Sequence, residues 1–214
     1  MIEDSFMHKG LRRKLVEQVK SKGIKDQRIL DAMLKIPRHA FIDSSFLKFA
    51  YQDQAFPISS GQTISQPFTV AFQTELIDLQ IHQKVLEVGT GSGYQAAILA
   101  EMGARVFTIE RIRKLYQDAQ IIHRELGYQI KFFLGDGYQG LPSFAPFDRI
   151  LITAAAPSIP EALKQQLVVG GILVAPIGQR DFQVMTKCVR TSMDTFEIST
   201  HGNFAFVPMK EGLE

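Results

Sequence analysis

Val85-Leu86-Glu87-Val88-Gly89-Thr90-Gly91-Ser92-Gly93 reads as a strand running into a glycine-rich turn, and a helical pattern opens directly after it. An open α/β sheet admits a nucleotide at such a place, the carboxyl end of a strand, where glycines let backbone amides come close to a ligand. The spacing is G-x-G-x-G, and Tyr94 stands where a dinucleotide-binding loop has its third glycine. The turn is therefore tighter and lacks a pyrophosphate cradle, which disfavours a dinucleotide and favours a nucleoside cofactor without phosphate.

Downstream, short β-branched runs alternate with helical stretches. The runs are 84–88, 105–110, 131–134, 148–153 and 171–176, and the helical segments lie around 95–102, 115–126 and 161–167. This alternation predicts a Rossmann-like α/β domain, a mostly parallel sheet with helices on both faces. Ser158 and Glu161 have the spacing of a capping box for the last crossover helix. Residues 184–189 and 203–208 read as further strands, an antiparallel pair at one sheet edge.

Upstream, Leu11, Leu15 and Val19, then Ile29, Leu30, Met33 and Leu34, recur at three- and four-residue spacing. Gly23 separates the two sets, and Asp26 is placed to cap the second helix. Pro37 stops that helix, and an irregular aromatic stretch carries Phe46, Phe49, Tyr51 and Phe56. Ser59-Ser60-Gly61-Gln62-Thr63-Ile64-Ser65-Gln66-Pro67 is a turn-prone, hydroxyl-rich loop ahead of a third helical pattern, and it is the first functional candidate. The expected organisation is a single domain over 1–214: N-terminal helices and cap over 1–60, a cofactor-binding core over 61–180, and C-terminal strands on the substrate side over 181–214.

The 214 residues are 45% hydrophobic and 21% charged, an ordinary globular balance, and the formal net charge of +2 is too small for a nucleic-acid footprint. The basic run near the start, including Lys9, Arg12, Arg13 and Lys14, reads equally well as a solvated helix face. No apolar run is long enough to span a bilayer, and an acidic start unlike a signal peptide points to the cytoplasm. The single Cys188 reads as a buried thiol. The five histidines have no i, i+4 pair, so no metal is expected without a coincidence of folding.

Glu110 ends the second strand, where a carboxylate can accept both hydroxyls of a ribose. Asp136 follows the third strand and can accept the exocyclic amine of adenine, with Gly137 leaving room for the ring. Glu87, Gly89, Thr90, Gly91 and Gly93 of the turn, with Arg111 beside Glu110, complete the expected cofactor wall. Each piece has a bland alternative, since Asp-Gly is a common turn and a strand-ending Glu is often merely solvated. S-adenosylmethionine, which leaves S-adenosylhomocysteine as product, satisfies all the features in their order on successive strands.

With Gly61-Gln62-Thr63-Ile64-Ser65-Gln66-Pro67 ahead of the glycine turn, the sequence resembles the protein-L-isoaspartate O-methyltransferase family. The glycine turn is common to many methyltransferases, whereas the Thr-Ile-Ser-Gln-Pro loop is specific. The resemblance continues through Ile36-Pro37-Arg38, Gly135-Asp136-Gly137, Ala145-Pro146-Phe147-Asp148, Thr153-Ala154-Ala155-Ala156-Pro157, Gly170-Gly171-Ile172-Leu173-Val174 and Phe206-Val207-Pro208. It implies the S-adenosylmethionine-dependent methyltransferase fold, a cytoplasmic monomer, and isoaspartyl proteins and peptides as substrates. It further implies Ser65 as the active-site serine, Thr63 and Ile64 as a cofactor-proximal loop, Glu110 as ribose ligand, and Asp136 with Gly137 at the adenine. The methyl ester formed would then close to a succinimide without further help.

A carboxylate is already an anion at neutral pH, so its methylation requires positioning rather than a strong base, and the motifs contain no His/Asp pair. Ser65 is the expected orienting donor, although a turn hydroxyl ahead of Pro67 can also serve only its own backbone. Gln66, Thr69 and Tyr94 are secondary candidates. The substrate should bind extended against residues 203–208, with main-chain bonds and little side-chain selectivity. A nucleic-acid methyltransferase is the main rival, but the turn after the fourth strand lacks the Asn/Asp-Pro-Pro-aromatic groups that hold a base amine.

Overall fold

The computed structural model describes residues 3–179 and 181–214. Helix α1 (Phe6–Ser21) is capped by Ser5, whose side chain accepts from the His8 amide, and α2 (Gln27–Lys35) is capped by Asp26, which accepts from the Arg28 amide at 2.9 Å. One 3-10 turn at Arg38–Phe41 and another at Ser44–Phe49 carry the aromatic stretch. That stretch ends in a two-residue strand, β1 (Phe56–Pro57), which pairs antiparallel with β2 (Thr63–Ile64) and folds the hydroxyl-rich loop back on itself. Helix α3 (Pro67–Leu76) begins directly after it, with proline in its first turn, where a missing amide costs no helix bond.

The remaining elements are β3 (Lys84–Val88), α4 (Tyr94–Glu101), β4 (Arg105–Glu110), α5 (Arg113–Leu126), β5 (Lys131–Leu134), β6 (Phe147–Ile152), α6 (Glu161–Gln165), β7 (Leu167–Ile177), β8 (Gln183–Arg190) and β9 (Phe196–Phe204). Their order in the sheet is β5-β4-β3-β6-β7-β8-β9. The first five run parallel, and β8 and β9 add an antiparallel edge. The central parallel strands β3, β4 and β6 are buried on both faces: Val85 belongs to the cluster under α1 to α4, while Leu86 and Val88 point into a second cluster with Phe107, Ile150 and Leu173. Double burial is why these strands read as continuous apolar runs rather than alternating ones.

Chain progression reverses at β3, whose neighbours are β4 on one side and β6 on the other. The carboxyl end of β3, the glycine turn, therefore lies at the crevice where an open sheet takes its ligand.

Two sequence expectations are corrected. The last strand is Phe196–Phe204 rather than 203–208; beyond Phe204 the chain leaves the sheet, and Pro208 makes only an isolated bridge to Ala155. Helix α6 starts from Pro160 without a side-chain cap, so Ser158 and Glu161 form no capping box, and Glu161 pairs with Lys164 instead.

Candidate active site

The glycine turn is held by its own surroundings. Gly89 donates to the Ile109 carbonyl at 2.9 Å, Gly91 to Glu110 Oε2 at 2.9 Å, and Gly93 to the Thr90 carbonyl at 2.8 Å. All three glycine amides are thus committed to protein acceptors, leaving none of them to cradle a phosphate. Gly89 has φ +97°, and a Cβ there would come within 2.6 Å of Thr153 Oγ1, whose hydroxyl donates to the Gly89 carbonyl at 2.6 Å. Gly93 has φ +88° and would meet His123 Nε2 at 2.6 Å. The close packing that requires glycine at these two positions comes from the protein itself.

Glu110 is buried at the end of β4 with its carboxylate preorganised. Oε1 accepts from the amides of Arg111 at 2.8 Å and Ile112 at 2.9 Å, and Oε2 accepts from Gly91. Three of the carboxylate's four acceptor sites are thus taken, and Oε2 keeps one for a further donor such as a ribose hydroxyl.

Glu87 is fully buried on β3. Its Oε2 accepts from Thr108 Oγ1 at 2.5 Å, and Thr108 Oγ1 lies 2.6 Å from Thr90 Oγ1; Oε1 has no partner among the described residues. Burial pushes the Glu87 pKa up to about 8, with the Thr108 hydrogen bond opposing the rise and the Glu110 charge adding to it.

These groups surround a cavity with about 860 Å³ of empty space, mouth included. Of the expected residues, Thr63, Ile64, Ser65, Glu87, Gly89, Thr90, Gly91, Glu110, Arg111 and Gly137 face it. Gly93 and Asp136 do not. Gly93 lies behind the wall as the left-handed residue preceding α4, its carbonyl 2.9 Å from His123 Nε2. Asp136 caps a 3-10 turn, accepting from the Tyr138 amide at 2.9 Å and, through Oδ2, from the Gly212 amide at 2.9 Å. Arg111 sends its guanidinium away to the Gly212 carbonyl and Glu214.

Ser65 lies where this cavity meets a second one. The hydrogen bonds of the described residues include none from its hydroxyl, so the alternative in which it serves its own turn is not the observed arrangement. Its carbonyl accepts from Arg38 Nη2 at 2.8 Å. Of the secondary candidates, Tyr94 faces the cavity. Gln66 donates to Asp53, and Asp53 accepts the Phe68 amide, so both fix the start of α3.

Sequence reading missed the stretch Val207 to Lys210, which closes the cavity as irregular chain. Ala155 donates to the Val207 carbonyl at 2.8 Å and accepts from the Met209 amide at 2.7 Å. The Phe206-Val207-Pro208 run was the available signal, and its apolar character was taken for a strand. Folding also brings Asp4, His8 and His39 together, with ligand-type atoms within 4.8 Å of one another. Arg12 takes both carboxylate oxygens of Asp4, and the His39 ring nitrogens face Tyr51 Oη and the Glu3 carbonyl. The polar side-chain atoms of Asp4 and His39 are therefore already paired, and His8 Nδ1 accepts from the Ser5 amide at 3.4 Å. No helix among the described residues is long and apolar enough to cross a membrane.

A profile of protein-L-isoaspartate(D-aspartate) O-methyltransferases matches residues 10–214. A protein-L-isoaspartate O-methyltransferase of Cytophaga hutchinsonii is 51% identical over 208 residues, covering 97% of this chain and 94% of its own. One from Christiangramia forsetii is 52% identical over 211 residues, covering 98% and 99%. Among solved structures, a protein-L-isoaspartate O-methyltransferase superposes with a TM-score of 0.85 at 29% identity, over 94% of this chain and 67% of that one. A Plasmodium falciparum protein described as such an enzyme, in complex with S-adenosyl-L-homocysteine, gives a TM-score of 0.81 at 26% identity, over 93% and 98%. Likeness over nearly the whole length, on a fold whose cavity is built from the family's own motifs, leads to one conclusion: the chain belongs to the protein-L-isoaspartate(D-aspartate) O-methyltransferase family.

Proposed function

We propose that the protein transfers a methyl group from S-adenosylmethionine to the free carboxylate of L-isoaspartyl residues in damaged proteins and peptides, leaving S-adenosylhomocysteine. The observation that carries this reading is the junction of two cavities at Thr63, Ser65, Thr153 and Val207, one lined by the glycine turn, Glu87 and Glu110, the other by the aromatic residues of α3 and the end of β9.

The wall fits the cofactor. Its glycine amides are spent, so a phosphate would find no cradle among them, while Glu110 Oε2 offers a preorganised acceptor for a ribose hydroxyl and Glu87 Oε1 is a buried polar atom awaiting a partner. Thr63, Ile64, Gly89, Thr90, Gly91 and Gly137 would supply the close apolar and backbone contacts. When bound, S-adenosylmethionine supplies the methyl group on a sulfonium, an electrophile that a carboxylate attacks without activation.

The protein's own residues then have two tasks. The first is orientation: the free Ser65 hydroxyl can donate to one carboxylate oxygen and leave the other to attack. The second is exclusion of water, which strengthens that hydrogen bond, and the Val207 to Lys210 stretch covers the cavity for this purpose. No residue need remove a proton. His123, the nearest imidazole behind the turn, is held neutral by burial with its pKa pushed down to about 4. The same reading includes action in the cytoplasm as a monomer, without nucleic acid or membrane, as the small net charge of +2 supports.

The test is a pair of peptides differing only in aspartate or isoaspartate at one position, incubated with S-adenosylmethionine. Methyl mass should appear on the isoaspartyl peptide alone, and Ser65→Ala should lower kcat by roughly 10- to 100-fold with S-adenosylhomocysteine affinity little changed. Cofactor binding with methylation of neither peptide would sink the assignment.

A further inference from the structure

The second cavity has a composition that the reaction alone does not require. From the shared wall at Ser65 it runs between α3 and the end of β9 as a groove with about 1240 Å³ of empty space, mouth included. Three of its rings form one cluster: Phe72 lies 5.0 Å from Phe204 between centroids, Phe68 lies 5.8 Å from Phe72, and Phe68 and Phe204 stack at 6.5 Å. Phe182, 68% exposed, and Phe206 extend the aromatic lining towards the mouth.

None of the described residues lining the groove is an acid, a lysine or an arginine. The ammonium of Lys22, which lies over the Phe68 ring at 5.5 Å, is paired with Asp53 at 2.5 Å. A charged side chain entering the groove would be desolvated without a counter-charge among these residues, whereas a large apolar one would be removed from water onto ring faces.

Resting on the function proposed above, we propose that this groove is a side-chain subsite. It holds the residue flanking the isoaspartyl unit, and it selects substrates in which that residue is large and apolar, aromatic above all. The groove is continuous with the methyl-transfer site through Ser65 and Val207, so an extended peptide with its carboxylate at Ser65 places its neighbouring side chain there. Little side-chain selectivity is the expectation for main-chain recognition, and the ring cluster departs from it. Large apolar residues are the ones most often buried in an intact protein, so a groove that prefers one beside the damage favours isoaspartyl sites in chains that have lost their fold.

The experiment measures KM and kcat for isoaspartyl peptides of one host sequence carrying Gly, Leu, Phe or Glu at each flanking position. On one side of the isoaspartyl residue, Phe and Leu should lower KM roughly tenfold or more relative to Gly, Glu should raise it, and kcat should move little. In Phe204→Ala and in Phe182→Ser, the second altering only an exposed ring, the Gly-to-Phe ratio of KM should shrink severalfold toward one. Affinity for S-adenosylhomocysteine, which binds beyond Thr63 and Ser65, reports on the fold of each variant. Equal KM for all flanks, or a preference undiminished in both variants, overturns the subsite while the methyltransferase reading stands. Failure to methylate even the Gly-flanked isoaspartyl peptide overturns both.

Discussion

Glu87 shows how one residue combines stability and binding. Its carboxyl is buried with a single hydroxyl partner, and burial raises its pKa to about 8 from an ordinary value of 4.5. The folded protein thus keeps a proton there that the unfolded chain gives up above the ordinary value. Stability from this group is complete below about pH 4.5, falls as pH rises through the interval, and levels off beyond about pH 8. Glu87→Gln removes the titration, so the ligand-free variant should lose less of its Tm between pH 5 and 8 than the parent, as thermal melts at a series of pH values would show. Equal slopes would mean that Glu87 is ionised in the folded state. The sequence marked Glu87 as part of the cofactor wall; its missing hydrogen bond became visible only when Thr108, on the neighbouring strand, was placed beside it.

At the scale of elements, legibility followed burial. Strands β3 and β4 have the bounds read from the sequence, because doubly buried parallel strands are short apolar runs ended by turns, and the half-buried edge strand β5 keeps its bounds through its Phe132-Phe133-Leu134 run. Strand β9 was missed because most of its residues are exposed, which leaves no alternation to read, whereas the apolar run after it lines cavities. The Ile36-Pro37-Arg38 motif was legible as a family mark and silent about its task. Arg38 is wholly buried, stacks 4.7 Å from the Tyr94 ring, and ties the Ser65 carbonyl to the segment after α2. Its Nε and Nη1 have no partner among the described residues, and burial pushes its pKa down to about 10. An underpaired buried cation is a poor stabiliser, and an apolar replacement of similar length is often neutral or better. Arg38→Met should therefore leave Tm unchanged or raised while lowering kcat roughly 5- to 50-fold, the effect of releasing one charge-assisted hydrogen bond. Arg38→Lys should recover part of that loss. A parallel fall in Tm and kcat would make Arg38 a packing residue only.

The whole molecule encloses its cofactor cavity by bringing its last residues back over the sheet. Val207 to Lys210 form part of the wall, and the chain beyond them is latched to two loops. Arg113 donates to the Glu214 carbonyl at 3.0 Å, Glu214 donates to the Arg111 carbonyl at 3.0 Å, and Gly212 donates to Asp136. Arg111 adds an ion pair with Glu214 at 2.7 Å in which the glutamate side chain is 59% exposed. Exposed ion pairs contribute about 0–1 kcal/mol and ordinary hydrogen bonds about 0.5–1.5 each, so lifting this strap costs only a few kcal/mol. A latch of that strength would keep the cavity covered during methyl transfer and still open often enough for product to leave. Asp136 and Arg111, read from the sequence as cofactor ligands, also anchor this strap, Asp136 at Gly212 and Arg111 at Glu214. Asp136→Ala should speed S-adenosylhomocysteine dissociation roughly fivefold by removing one hydrogen bond, measured by stopped-flow displacement. Asp136→Asn, whose amide oxygen can still accept from Gly212, should remain near the parent rate, and added salt should speed release from the parent by screening the Arg111 pair. If Asp136→Asn dissociated as fast as Asp136→Ala, and salt had no effect, the carboxylate would be holding the cofactor directly and the strap would not set the rate.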